Sequence, residues 1–262
     1  MTPISDILSG AVATEDGFRV AIPADWLQGR TAYGGLSSAL ALHAAMASEL
    51  DLPPLRSAQV SFVGPLSGEV TVSATRLRRG RNAAFVQADI VSDAGLGYRA
   101  TFVFMAGQVS QIALDRRTPA GAEAPAGNAE LYTGPDDFFT GNFNFLDLKE
   151  APGGRALGEA EWLRWARLRA YHELDPMVEL MAIADALPPA AFRLLGKQPA
   201  PISSLTWIVN LLSAEPRTRD GWWLLSARSN YAQGGCSSQI MRMWNADGEL
   251  VAEGMQSVAL FA

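Results

Sequence analysis

The hydrophobic pattern of the first fifty residues changes period once. "FRVAIPADWLQGR" reads as a short strand and turn, and then "TAYGGLSSALALHAAMASEL", residues 31–50, runs through Ala, Leu, Ser and Met with no formal charge before Glu49. From Gly34 to Leu50 the residues are good helix formers, closed by Asp51, Leu52 and Pro53-Pro54. A helix that is apolar on every side must be covered on every side. The next residues supply the cover. "RSAQVSFVGP", "EVTVSATRLRRG", "NAAFVQADIVSDAG" and "GYRATFVFMAG" are four runs with β-branched and aromatic residues, separated by Gly, Pro and Asp. The pattern predicts one buried helix followed by an antiparallel meander, an α+β unit.

The periodicity then lapses and returns. Residues 107–137, rich in Ala, Gly, Pro and Gln, read as a linker over the surface between a first unit, 1–106, and a second, 138–262. In the second unit "FFTGNFNFLDLKE" and "AEWLRWARLR" read as strands, and "DPMVELMAIADALPPAAFRLL" as a mostly apolar helix with acidic residues near its start. "ISSLTWIVNLL", "GWWLLSARSNYAQGG", "CSSQIMRMWNADGEL" and "VAEGMQSVALFA" give four further strands. "SATRLRRG" faces "SARSNYAQGG", and "ADIVSDAG" faces "MRMWNADG", about 154 residues on. The order predicts an internal duplication of a helix-plus-meander unit.

Composition narrows the function. With 262 residues, nearly half of them apolar and 18% charged, the chain has the profile of a folded domain or pair of domains. A net charge of −6 argues against a nucleic-acid binder. The clustered Arg76, Arg78, Arg79 and Arg81 read as a solvated strand end, with a ligand site as the alternative. Cys236 alone can build neither a disulfide framework nor a thiolate-rich metal site within one chain, and no metal is expected. No apolar run reaches the roughly 18–20 residues of a membrane span, and "MTPISDILSGAVATEDG" is too polar for a secretory leader. The expected location is the cytoplasm.

Several familiar signatures fail on context. "GLGYRA", Gly95 to Ala100, fits G-x-G-x-x-A but is followed by the strand-like "TFVFM", so it reads as a hairpin turn. "GLSSA", residues 35–39, hints at a serine elbow but has Ala39 for the second glycine. A serine triad would need His43, inside the buried helix, or His172, in "AYHELDP". "GKQ", 196–198, lacks the hydroxyl of a phosphate loop.

The order "YGGLSSALALHAA…LRSAQVSFVGPLSGEVTVSATRLRRGRNAAFVQADIVSDAG" resembles the acyl-CoA thioesterase II-like branch of the thioesterase superfamily, over most of residues 15–262 and least through the linker. The resemblance implies a tandem (double) hot-dog: two antiparallel sheets, each wrapped round a central apolar helix, joined side by side. It also implies a catalytic trio in the second unit, with an aspartate on the helix, a hydroxyl on the next strand and a glutamine on the last. Asp185 in "AIADALPPA", Ser204 in "ISSLTWIV" and Gln256 in "LVAEGMQSVALF" match those positions, with Ser203 one step out of phase. Serine stands where threonine is frequent, and "LTWIVNLL" stands where the family often has a histidine-bearing strand. Further implications are a small-molecule acyl-CoA substrate, no cofactor beyond the CoA of that substrate, no nucleic-acid or membrane partner, and a homo-oligomer of double hot-dogs.

A thioester is already activated, so its hydrolysis needs a positioned water, a proton acceptor and stabilisation of an oxyanion. A carboxylate in apolar surroundings has its pKa raised, which suits Asp185 as the base. The alternative for Asp185 is an ion pair with a residue such as Arg193, and for Gln256 a strand amide satisfied by backbone. Gly34 and Gly35 admit two readings: substrate binding at a helix N-terminus, or close packing of the helix on the sheet. Two other functions stand beside hydrolysis: an acyl-CoA or lipid-like ligand binder without turnover, and an enoyl-CoA hydratase, which would want an Asp/His pair.

Overall fold

The structure, a computed structural model, describes residues 1–171, 174–196 and 200–261. His172 and the Lys197-Gln198 pair weighed above lie outside the described residues. The alternating runs of the sequence form twelve strands: β1 (Val12–Thr14), β2 (Gly17–Ala21), β3 (Leu55–Phe62), β4 (Glu69–Arg79), β5 (Ala83–Ser92), β6 (Gly95–Met105), β7 (Phe143–Asp147), β8 (Glu161–Leu168), β9 (Ile202–Leu211), β10 (Trp223–Gln233), β11 (Cys236–Asn245) and β12 (Leu250–Leu260). All twelve join one antiparallel sheet in the order β1-β2-β4-β5-β6-β3-β9-β12-β11-β10-β8-β7. The second half of that order repeats the first in reverse, the arrangement an internal duplication produces. The expected pair of sheets is therefore one hydrogen-bonded sheet. β3 and β9 pair from Ser57↔Asn210 to Ser61↔Thr206, so the edges that two separate sheets would expose are consumed in the join.

Helix α1 (Ile4–Ser9) is a short lead-in, whereas α2 (Gly34–Ala47) lies on the inner face of β4, β5 and β6. From Gly35 through Leu42 every residue of α2 is buried, which is why the run carries no polar face. Beside it lies α3 (Pro176–Ala184), started by Pro176 at its first turn and by Asp175, whose side chain accepts from the Met177 and Val178 N–H groups.

The apolar run from Asp175 to Leu195 is not one helix: α3 stops at Ala184, and a 3₁₀ turn resumes at Ala190–Leu195. Pro188 and Pro189 have no N–H to return to the carbonyls of Ala184 and Asp185. Asp185 consequently sits at the helix C-cap rather than inside it. The two helices run antiparallel, so the head of α2 meets the tail of α3.

Residues 107–137 are largely irregular and exposed. They are nonetheless tied to the second unit, where Trp244 Nε1 donates to the Thr118 carbonyl at 2.7 Å and the Ala120 N–H to that of Gly248 at 2.9 Å. The clustered arginines serve the first unit: Arg76 pairs with Glu49 at 3.2 Å and Arg79 donates to the Asp51 carbonyl at 2.9 Å, closing the turn after α2. "GLGYRA", expected as a hairpin turn, instead opens strand β6, and the turn itself is Asp93-Ala94 just before it.

Candidate active site

Where α3 ends, its C-cap carboxylate is held from the sheet. Gln256, on the inner face of β12, donates its Nε2 to Asp185 Oδ1 at 2.9 Å. Gln256 Oε1 in turn accepts from Gln239 Nε2 on β11 at 2.6 Å, and Gln239 Oε1 accepts the Ala190 N–H at 2.7 Å. The chain runs from backbone to carboxylate through two amides that are 1% and 3% exposed. Gln239 and Gln256 are direct cross-strand partners, so one register brings both to the same face.

The opposite wall is the head of α2. A Cβ built on Gly34 would stand 2.5 Å from Asp185 Oδ2 and 2.8 Å from the Phe62 ring, so no side chain fits between them. A Cβ on Gly35 would press into the Ala182 carbonyl and the Tyr33 ring. The two glycines let the helices touch backbone to backbone at this point, and Tyr33 OH fastens them by donating to the Ala182 carbonyl at 2.7 Å. Because the Ser37 N–H is the first to reach back, to the Tyr33 carbonyl, the N–H groups of Gly34, Gly35 and Leu36 have no intrahelical acceptor.

The surroundings set the charge state. Burial among apolar groups raises the Asp185 carboxyl from its ordinary range to about 7, against the pull of the Gln256 bond. Asp185 as a residue is partly exposed, while its carboxyl is enclosed between Gln256 and the head of α2. Tyr33 and Tyr98 lie near enough to feel its charge, and burial pushes both phenols well above their usual value. Tyr98 OH donates to Ser38 Oγ at 3.0 Å, and Ser38 Oγ donates to the Gly34 carbonyl at 2.9 Å. The serines of "GLSSA" are thus bonded back into their own helix and are not poised as nucleophiles.

The structure brings together four of the five residues singled out in the sequence: Asp185, Gln256, Gly34 and Gly35. Ser204 lies one row away. It pairs across the strands with Val258, two positions from Gln256 on the same face, and is half-buried. A bulge at Leu205, between Ser204 and Thr206, is what turns Ser204 inward with Trp207. The Ser204 hydroxyl is not part of the amide–carboxylate chain. Arg193, weighed as an ion partner for Asp185, stacks instead over Trp162 at 4.8 Å. Gln256 is satisfied by side chains and not by backbone.

Sequence reasoning missed Gln239, Tyr33, Tyr98 and Phe62. The phase of "SSQIMRMW" carried a signal for the first, since Ser237, Gln239, Met241 and Met243 alternate inward. His43, at the far end of the helix pair, packs edge-on against Phe18 at 5.9 Å, and burial lowers its pKa.

A family model described as the acyl-CoA thioesterase N-terminal domain matches residues 22–105, and one described as the acyl-CoA thioesterase C-terminal domain matches residues 113–260. No curated protein matches the sequence. Among solved structures, a conserved hot-dog protein of unknown function from Alicyclobacillus acidocaldarius is similar at 22% identity, with 100% of this chain and 99% of that chain covered and a TM-score of 0.84. The TesB protein of Mycobacterium avium subspecies paratuberculosis is similar at 19% identity, covering 98% of each chain, with a TM-score of 0.75. Acyl-CoA thioesterase II TesB2 from Mycobacterium marinum is similar at 19% identity, over 98% of this chain and 96% of that one, with a TM-score of 0.74. At these identities the structural likeness shows a hot-dog fold, mostly strands with few helices. Among the described residues no helix is long and apolar enough to cross a membrane.

Proposed function

The chain belongs to the acyl-CoA thioesterase family and is a thioesterase, and from that premise we propose that it hydrolyses acyl-CoA thioesters to free acid and CoA with Asp185 as the general base. The observation that carries this reading is a carboxyl raised by burial to about 7, bonded to Gln256 and packed against Gly34 at the head of α2. Asp185 accepts a proton from water, and the water oxygen attacks the thioester carbonyl carbon. The oxyanion forms against the Gly34 and Gly35 N–H groups, where the helix dipole favours negative charge. As the C–S bond breaks, the CoA sulfur takes the proton from Asp185, and the free acid leaves. Gln256 orients the carboxylate, while Ser204, on the same face, supports the attacking water. The reaction needs no metal and no cofactor, and the acyl-CoA is a small-molecule substrate met in the cytoplasm.

Thiol release from short, medium, long and aromatic acyl-CoAs tests the proposal, wild type beside Asp185→Asn. The expected result is turnover that falls by about 10³-fold in the variant while ligand binding survives. Release that persists in Asp185→Asn removes the aspartate from its role. Binding without release from any substrate would leave a ligand-binding protein in place of an active enzyme.

A further inference from the structure

Gln239 takes no part in the steps above, yet it is among the most deeply buried polar residues, 1% exposed. The inward positions of the paired strands β5 and β6 show what the sheet puts there by default: Ala84, Val86, Ala88 and Ile90 face Phe104, Phe102, Ala100 and Tyr98. An amide in such a row is costly unless its bonds are made. Both ends of Gln239 are bonded. Its Oε1 accepts from the Ala190 N–H at 2.7 Å, and its Nε2 donates to Gln256 Oε1 at 2.6 Å.

We propose that Gln239 is a positioning residue for the hydrolytic site, fixing the Gln256 amide so that its N–H, and not its carbonyl, faces Asp185. The inference rests on the reading of Asp185 as base. Its logic is directional. A backbone N–H can only donate, so the Ala190 N–H dictates that Gln239 presents its oxygen there and its NH₂ to Gln256. Gln256 must then offer its oxygen to Gln239 and its NH₂ to the carboxylate. The same bond pins Ala190, five residues beyond Asp185, to the sheet, so the bend that carries the carboxylate is held at both ends. Without Gln239 the Gln256 amide is free to turn over and set its carbonyl against Asp185.

The groups facing Asp185 leave this bond in control. From the cap of α2 and from β6 come the Tyr33 and Tyr98 phenols, held neutral by burial, and from β11 and β12 come the two amides. Glu179 of α3 is turned away, accepting from Trp223 Nε1 on β10 at 3.0 Å, and Arg193 is engaged with Trp162.

Two variants of the full-length enzyme test the role, with Asp185→Asn alongside. Gln239→Met keeps length and removes both bonds. Gln239→Glu is nearly isosteric: while protonated it accepts from Ala190 and donates to Gln256 as the amide does, but once ionised it can only accept. In Gln239→Met, kcat is expected to fall about tenfold, with KM within about twofold. The Asp185 midpoint, read from the carboxyl ¹³C resonance that Asp185→Asn lacks, is expected to rise as the donor is lost. Gln239→Glu is expected to add a falling alkaline limb to the pH–rate profile that neither wild type nor Gln239→Met shows. An unmoved Asp185 midpoint in Gln239→Met, together with a wild-type pH profile in Gln239→Glu, would overturn the role of Gln239 alone. Undiminished turnover in Asp185→Asn would overturn the reading of Asp185 as the base, and this role with it, while leaving thioester hydrolysis in place. The carbon titration needs no substrate, so the orientation of Gln256 is decided even if the substrate panel gives no thiol.

Discussion

Helices α2 and α3 lie side by side against one sheet and end differently. Counted nine residues from its first, α2 carries His43, and α3 carries Asp185 at the same step. His43 meets the ring of Phe18, whereas Asp185 meets the Gln256 amide and the backbone of Gly34. The strands repeat the contrast. The inner rows of β5 and β6 are hydrocarbon apart from the Tyr98 hydroxyl, while β11 and β12 place Gln239 and Gln256 opposite one another. One half lines its inner rows with apolar side chains; the other places two amides and a carboxyl in the corresponding rows. A duplicated scaffold therefore supplies each half with what the other lacks, the glycine head from the first and the acid from the second.

The comparison is broken most severely at the contact between the helices. Gly35→Ala inserts a Cβ into the Ala182 carbonyl and the Tyr33 ring, where backbone cannot yield cheaply. Unfolding by urea is expected to show a loss of about 2–3 kcal/mol, with thiol release falling as Asp185 is displaced.

A smaller effect separates charge from catalysis. Burial raises Glu179 to about 7, with the Trp223 bond pulling the other way, as it raises Asp185. A carboxyl whose folded pKa lies above its unfolded value contributes fully at pH below about 4, and that contribution is lost as pH rises toward 7. Glu179→Gln is expected to gain about 1–2 kcal/mol at pH 8 and nothing at pH 4, in paired denaturation curves, while keeping its activity. Equal gains at both pH values would show that packing, not ionisation, sets the difference. Activity carries the opposite sign: wild-type turnover rises with pH through about 7 as Asp185 ionises.

The smallest change is expected at the counterpart of Asp185. His43→Gln should alter thiol release by less than about twofold and leave the pH–rate profile where it was, since His43 is a packed group remote from the acid. A shifted profile would mean that the two ends of the helix pair communicate.

Much of this architecture is written in the local pattern. The uniform apolarity of residues 34–47 demanded a buried helix, and the period-2 runs of "NAAFVQADIVSDAG" and "CSSQIMRMWNADGEL" demanded half-buried strands, because burial and periodicity are properties of neighbours in sequence. An acid amid apolar residues after α3 made Asp185 conspicuous, since such a group is expensive unless used. Three features escaped that logic. The break after Ala184 depends on which carbonyls Pro188 and Pro189 fail to serve, the inward turn of Ser204 on a single extra residue at Leu205, and the role of Gln239 on a register that sets it opposite Gln256. The sequence by itself determined what must be buried and where the chain must turn. Only the tertiary structure decided which buried polar groups meet, because a hydrogen bond is won or lost over about an ångström, and that distance is set by residues far apart in the chain.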